Sequence, residues 1–162
     1  MQKPCPNYSA IITSPIGNLG FNIVDDKLVN LDFLISSKDK LQKPTIPLAK
    51  EVAKQLESYF KNPKFKFDLP IVLQGTEHQL RVWQALQAIA SGKALSYGVL
   101  AQQLKSSARA IGNACRRNPI PIIVPCHRII AADGGLGGFN GARQGWPLNT
   151  KAWLLQHEGF KN

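Results

Sequence analysis

Cysteine is scarce in this chain and badly placed for a scaffold. Only Cys5, Cys115 and Cys126 occur in 162 residues, an odd number without framework spacing, so a disulfide-stapled secreted domain is excluded. Histidine is equally rare, at three, and no cysteine or histidine pair has zinc-ligand spacing; no metal and no cofactor is expected. No apolar run approaches the roughly 20 residues that span a bilayer, so no membrane partner is expected. The opening MQKPCPNYSA lacks an apolar signal core, which points to a cytoplasmic protein. Acidic residues are few, ten against twenty Lys and Arg, and the net charge is +10. Arginine is missing altogether from residues 1–73, where ten lysines face seven acids. Residues 74–162 hold all six arginines, with four lysines and three acids. Guanidinium forks suit phosphate and groove contacts, so the second part is expected to meet a polyanion, foremost nucleic acid.

What is present is enough for a real core: 44% of residues are hydrophobic, which sets disorder aside. Residues 1–73 read as an α+β scaffold domain. Strands are expected at 9–14, 19–25 and 28–35, with turns at Pro15–Gly17 and Asp25–Lys27. A helix at about 47–60 places Leu48, Val52, Leu56 and Tyr59 on one face, and a short strand near 65–69 precedes Pro70. No cluster of reactive side chains occurs here.

Residues 74–162 read as mostly helical. Thr76 and Gln79 have capping-box spacing and open a helix to about Ala90 that buries Val82, Trp83, Leu86 and Ile89. Two short helices at about 97–104 and 108–117 outline a helix-turn-helix over about 96–118. The second presents Ala108, Ala110, Gly112 and Ala114 beside Arg109, Arg116 and Arg117. That outline alone fits a DNA-reading pair and two packed bundle helices equally. The glycine-rich 133–145 is either a plain connector or a loop whose backbone approaches a ligand closely. A last helix is expected over about Thr150–Glu158.

The stretch NPIPIIVPCHRII, residues 118–130, sets Cys126 beside His127 and Arg128. A thiol with its ordinary pKa near ~8.5 needs a base or a positive charge to act as a nucleophile at neutral pH. Adjacent side chains of an extended strand point apart, so either the chain turns at Cys126 or His127 works through a water. Glu77, Asp133 and Glu158 are the acids available to orient the imidazole, and Glu158, after an apolar helix, is the best anchored. On the residues alone a core cysteine with a satisfied core histidine stands level with a nucleophile.

With GTEHQLRVWQAL, SYGVLA, ARAIG, RRNPIPIIVPCHRII and WLLQHEG in that order, the chain resembles the O6-alkylguanine-DNA alkyltransferases (methylated-DNA–protein-cysteine methyltransferases) over almost its whole length. The resemblance implies a ribonuclease H-like first domain and a winged-helix-like second domain that binds DNA. It implies DNA repair by a single-use transfer of a methyl or alkyl group from O6 of guanine to Cys126 after nucleotide flipping, with O4 of thymine left open as a substrate. By that resemblance His127 deprotonates Cys126 through water, Glu158 orients His127, and Tyr97 hydrogen-bonds and protonates the leaving guanine. Arg109 is the finger that fills the vacated stack, Ala108, Ala110 and Gly112 let the helix enter the minor groove of double-stranded DNA, and Asn118 ties that helix to the active-site turn. Cys115, Ile129, Phe139, Asn140 and Gly141 line the substrate pocket with Tyr97, and Arg128 holds local structure. The protein is expected to act as a monomer, with cooperative binding along DNA left open. Phe139–Asn140 stand where relatives often have tyrosine and serine, and 143–150 reads as an insertion. Some relatives carry a first-domain zinc, which is not transferred because Cys5 stands alone. The rival readings are a helix-turn-helix protein that recognises the lesion without transfer, and a Cys–His hydrolase.

Overall fold

The computed structural model describes residues 7–34 and 40–160, so Cys5 and the expected strand end at Ile35 lie outside the described residues. The chain forms two compact units, Met1–Val72 and Leu73–Asn162. The mixed α+β class expected from the sequence holds, with an antiparallel sheet in the first unit and mainly helices in the second.

In the first unit β1 (Ala10–Ile12), β2 (Asn18–Val24) and β3 (Lys27–Leu34) form an antiparallel sheet in sequence order. Asp25 and Asp26 both adopt positive φ, 51° and 58°, the geometry of a two-residue hairpin turn that matches strand twist. The register steps from Asn22↔Asn30 to Ile23↔Leu28, leaving Val29 as an extra residue. That bulge turns Leu28 and Leu31, which strict alternation would put on opposite faces, into the same core. Helix α1 (Pro47–Lys61) starts on Pro47 and buries Ala49, Val52, Leu56 and Tyr59; Leu48 is only half-buried, Ala49 taking the inner place.

The expected strand at 65–69 is absent. Its backbone is satisfied differently: Gln55, buried on α1, accepts from Asp68 N–H at 2.9 Å and donates to Asp68 carbonyl at 3.0 Å. A side-chain amide thus takes the place of a neighbouring strand. Ladder pairing resumes only after Pro70, where Ile71 bridges Leu28 in parallel.

In the second unit α2 (Glu77–Gln87) has the full capping box between Thr76 and Gln79 and ends earlier than the apolar pattern, with Ile89 buried just beyond it. Helices α3 (Tyr97–Gln103) and α4 (Ala108–Arg116) each begin at a serine cap, Ser96 and Ser107, which fixes both starts. Between them Lys105 takes a φ of 54°, making the tight turn. Val82, Trp83, Leu86, Leu100, Ile111, Leu154 and Leu155 supply this unit's core. Trp83 Nε1 donates to Ala114 carbonyl at 2.8 Å, fastening α2 to the end of α4. Helix α5 runs Trp146–His157, not from Thr150: Pro147 suits a first turn, and residues 146–150 of the 143–150 segment are helix.

Candidate active site

Two very short strands bring the site together. β4 (Leu95–Ser96) pairs in parallel with β5 (Ile129–Ile130), Leu95 opposite Ile129 and Ser96 opposite Ile130. Tyr97 follows β4 directly as the first residue of α3, and the turn Cys126–Arg128 leads directly into β5. The ladder thereby sets the tyrosine beside the cysteine although 29 positions separate them. Neither strand was expected, because two residues carry no periodicity.

The PCHR segment is one turn of 3-10 helix, so the chain does turn at Cys126. The apolar run before it is a compact loop, with Val124 N–H donating to Ile120 carbonyl at 2.9 Å and Ile122 at φ 75°. A β-branched residue rarely takes that conformation, and Ile120, Ile122 and Val124 hold it by being buried. Asn118 closes the loop: its Nδ2 donates to Val124 carbonyl at 2.7 Å and its Oδ1 accepts from Ile120 N–H at 3.0 Å. Its backbone N–H reaches Cys115 carbonyl at the end of α4, so one residue joins the helix to the cysteine turn.

Behind the cysteine lies a buried charge network. Glu158 caps α5 and accepts from Arg128 Nε at 2.8 Å, Arg128 Nη2 at 2.8 Å and His127 Nε2 at 2.9 Å. Arg128 Nη1 also donates to Ile89 carbonyl at 2.6 Å, where α2 has just ended. Burial favours the neutral form of Glu158, yet the bonds from Arg128 and then His127 outweigh it and hold the carboxyl well below its usual range. His127 is completely buried, and burial pushes its pKa down against the pull of Glu158. A neutral imidazole that donates from Nε2 keeps its lone pair on Nδ1, and Nδ1 has no hydrogen-bond partner among the described residues. Arg128 therefore anchors local structure.

Cys126 is 6% exposed, and burial raises its thiol pKa; a bond from the Asn118 side chain and the charge of Lys151 oppose that rise. The resting thiol is protonated and needs a base. Cys115 is near enough to Cys126 for their charges to interact, and burial raises it strongly. Tyr97 is pushed up to about 12, first by burial and then by the Cys115 charge, and stays a phenol at neutral pH.

The glycine-rich segment packs on that phenol. Tyr97 Oη donates to Gly138 carbonyl at 3.3 Å, and a Cβ on Gly137, at φ 71°, would stand 2.8 Å from the tyrosine ring. Only glycine fits there. Phe139 and Ala142 exchange backbone bonds at 2.9 and 3.0 Å around Asn140 and Gly141, both at positive φ. Asn-Gly in a two-residue turn is a known signal that the sequence offered. Phe139 is buried, Asn140 and Gly141 are exposed, and Ile129 is buried with only its carbonyl turned to a charged partner.

That partner, Lys151, is the residue that sequence reasoning missed. It is fully buried on α5, and its ammonium donates to the carbonyls of Ile129, Leu136 and Gly138. A lysine between apolar helix positions looks like any snorkelling surface lysine, so nothing in the sequence marks it.

Arg109 and Ala108 are exposed on the first turn of α4, while Ala110 and Gly112 are half-buried. A cleft of about 450 Å³ runs along α4, lined by Ala110, Asn113, Arg116 and Arg117 with Thr76 and His78 from the start of α2. Among the described residues no three His, Cys, Asp or Glu side chains gather as a metal ion requires, and no helix is long and apolar enough to cross a membrane.

Residues 77–160 match the 6-O-methylguanine DNA methyltransferase DNA binding domain, and residues 7–73 match the ribonuclease-like domain of the same family. A methylated-DNA–protein-cysteine methyltransferase of Methanosarcina acetivorans is 37% identical over 159 residues, covering 94% of this chain and 98% of that protein. One of Mycobacterium leprae is 41% identical over 150 residues, covering 90% and 88%. Among solved structures, Mycobacterium tuberculosis OGT in complex with DNA superposes with a TM-score of 0.77 at 39% identity, covering 91% of this chain and 90% of that one. With both domain matches and these relatives spanning nearly the whole sequence, the chain belongs to the 6-O-methylguanine DNA methyltransferase family.

Proposed function

We propose that this chain repairs double-stranded DNA by moving a methyl or larger alkyl group from O6 of guanine to Sγ of Cys126. The observation that carries the reading is the buried Arg128–Glu158–His127 network. It leaves the lone pair on His127 Nδ1, one residue from a buried thiol, as the only uncommitted polar atom of the imidazole.

The thiol proton passes through a water to His127 Nδ1. Glu158, held ionised by Arg128, stabilises the imidazolium that forms. The Cys126 thiolate attacks the alkyl carbon in line; the S–C bond forms as the C–O6 bond breaks, and the electron pair leaves on guanine. Tyr97 gives its hydroxyl proton to the departing base and recovers one, through solvent, from the imidazolium. The net change moves the thiol proton to guanine and the alkyl group to sulfur. A thioether has no acidic leaving group, so the chain acts once.

The target base is shielded in the duplex and must be turned out, at a cost of a few kcal/mol. Helix α4 enters the minor groove with Ala108, Ala110 and Gly112 against the backbone, and Arg109, exposed at its first turn, fills the gap. Arg116, Arg117 and the cleft beside them receive a phosphate strand. Cys115, Phe139, Asn140 and Gly141 bound the pocket, and the backbone N–H of 140 meets O6. The division of labour follows the two units, the first a scaffold and the second the DNA-binding and acceptor unit. One chain serves one lesion.

Peptide mass mapping after mixing with duplex DNA bearing one O6-methylguanine tests this. The expected result is a methyl-sized gain confined to the Cys126 peptide, matched by an equimolar gain of unmodified guanine. Tight lesion binding with no gain at Cys126 would instead make the chain a recognition protein.

A further inference from the structure

Gly138 carbonyl is shared by two donors. Tyr97 Oη reaches it at 3.3 Å and Lys151 Nζ at 2.9 Å. The remaining two protons of the ammonium go to Ile129 and Leu136 carbonyls, so all three N–H groups are used and none is left for substrate. Nζ also lies 5.7 Å from the centre of the Tyr97 ring. The lysine therefore binds the start of β5, two points of the glycine-rich segment and one face of the phenol into a single unit.

In the resting protein the Tyr97 proton is engaged by Gly138. To serve a leaving base, the hydroxyl must release that carbonyl. A carbonyl in a closed, part-buried site that loses its only donor is costly, which would tether the tyrosine. Gly138 does not have only one donor. We propose that Lys151 is a positioning residue for alkyl transfer: it keeps Gly138 carbonyl satisfied when the Tyr97 hydroxyl turns to the base, so that the proton donor changes partner freely. This rests on the alkyl-transfer reading above, in which Tyr97 protonates guanine. Lys151 acts through Gly138 and Tyr97 and touches no reacting atom.

The groups facing Lys151 are Tyr97 on α3, Cys115 on α4, and Cys126 and His127 on the turn. Burial draws the lysine down to about 8, while negative charge on Cys126 or Cys115 would raise it. Thiolate formation thus strengthens the ammonium clamp at the moment the tyrosine has to leave.

The test is a double-mutant cycle. Single-turnover transfer from duplex O6-methylguanine is measured for Lys151→Met, Tyr97→Phe and the double variant, with the DNA dissociation constant measured separately for each. Removing a donor of this charged kind should slow transfer by Lys151→Met about 10- to 100-fold. DNA affinity should change by less than about 3-fold, and the double variant should be no slower than the slower single variant, because both losses run through one hydroxyl. Losses that multiply in the double variant would overturn the proposal. If Lys151→Met does not fold, Tyr97→Phe decides alone. With Lys151 still covering Gly138 carbonyl, its melting temperature should match the unaltered protein within about 2 °C. A drop of more than about 4 °C would mean that the carbonyl was orphaned and that Lys151 does not cover it. Absence of transfer by the unaltered protein would fail the alkyl-transfer reading, a result separate from the melting comparison.

Discussion

Replacing Glu158 with glutamine would remove one charge and leave shape almost unchanged. The carboxylate is fully buried as a side chain and accepts three charge-assisted bonds, two from Arg128 at 2.8 Å and one from His127 at 2.9 Å. An amide offers one acceptor and turns an NH2 toward a guanidinium or an imidazole N–H. Arg128, only 12% exposed, would then be a cation without a counter-charge. Breaking a buried pair by removing one partner costs about 3–5 kcal/mol. The same bonds predict the pH dependence. Glu158 is held below its ordinary range, so the unfolded chain binds its proton first as pH falls. The stabilisation is full above the ordinary carboxylate pKa of about 4.3 and is lost progressively below it. The gap between the two proteins should therefore be about 3 kcal/mol or more at pH 7 and shrink toward pH 3. Urea unfolding followed by tryptophan fluorescence measures it directly, since Trp83, Trp146 and Trp153 all lie in residues 73–162. A variant within about 1 kcal/mol of the unaltered protein at pH 7, or a gap that stays constant down to pH 3, would refute the network as described.

Three further outcomes are expected. Gly137→Ala should slow transfer more than it weakens DNA binding, because a Cβ there stands 2.8 Å from the Tyr97 ring at φ 71°; equal effects on rate and affinity would count against it. Arg109→Ala should slow repair of duplex DNA while a free O6-alkylguanine base still reacts at the unaltered rate, and equal losses on both would remove the finger role. The His127 ring should remain neutral in an NMR titration from pH 8 through 6, because burial lowers its pKa; a midpoint at the ordinary value of about 6.5 would contradict that.

Much of the site was legible because its parts sit at chain punctuation. Thr76, Ser96 and Ser107 cap helices as their types require, and Pro119 and Pro125 mark Asn118 and the start of the cysteine turn. The PCHR stretch carried the reactive types side by side, and Glu158 stood out because few acids compete with it. The strand expected at 65–69 failed because a single buried glutamine supplied the bonds a neighbouring strand would have made. The start of α5 was placed late, at Thr150, because 143–150 reads as an insertion; Pro147 suits the first helical turn, where it lacks only an N–H that is orphaned anyway.

Local chemistry, then, was written in the sequence: helix starts, the two-part charge balance, the thiol and its candidate partners. Tertiary structure decided which atoms of those residues are free. Only the fold shows that Arg128 spends its guanidinium on Glu158 and Ile89, that His127 keeps Nδ1, and that Lys151 is buried against three carbonyls. The reason is physical. A capping preference is set by a residue and its near neighbours, whereas protonation and hydrogen-bond commitment depend on burial and on partners about 30 positions away, as Glu158 is from His127, brought together by the packing of α5 against the cysteine turn.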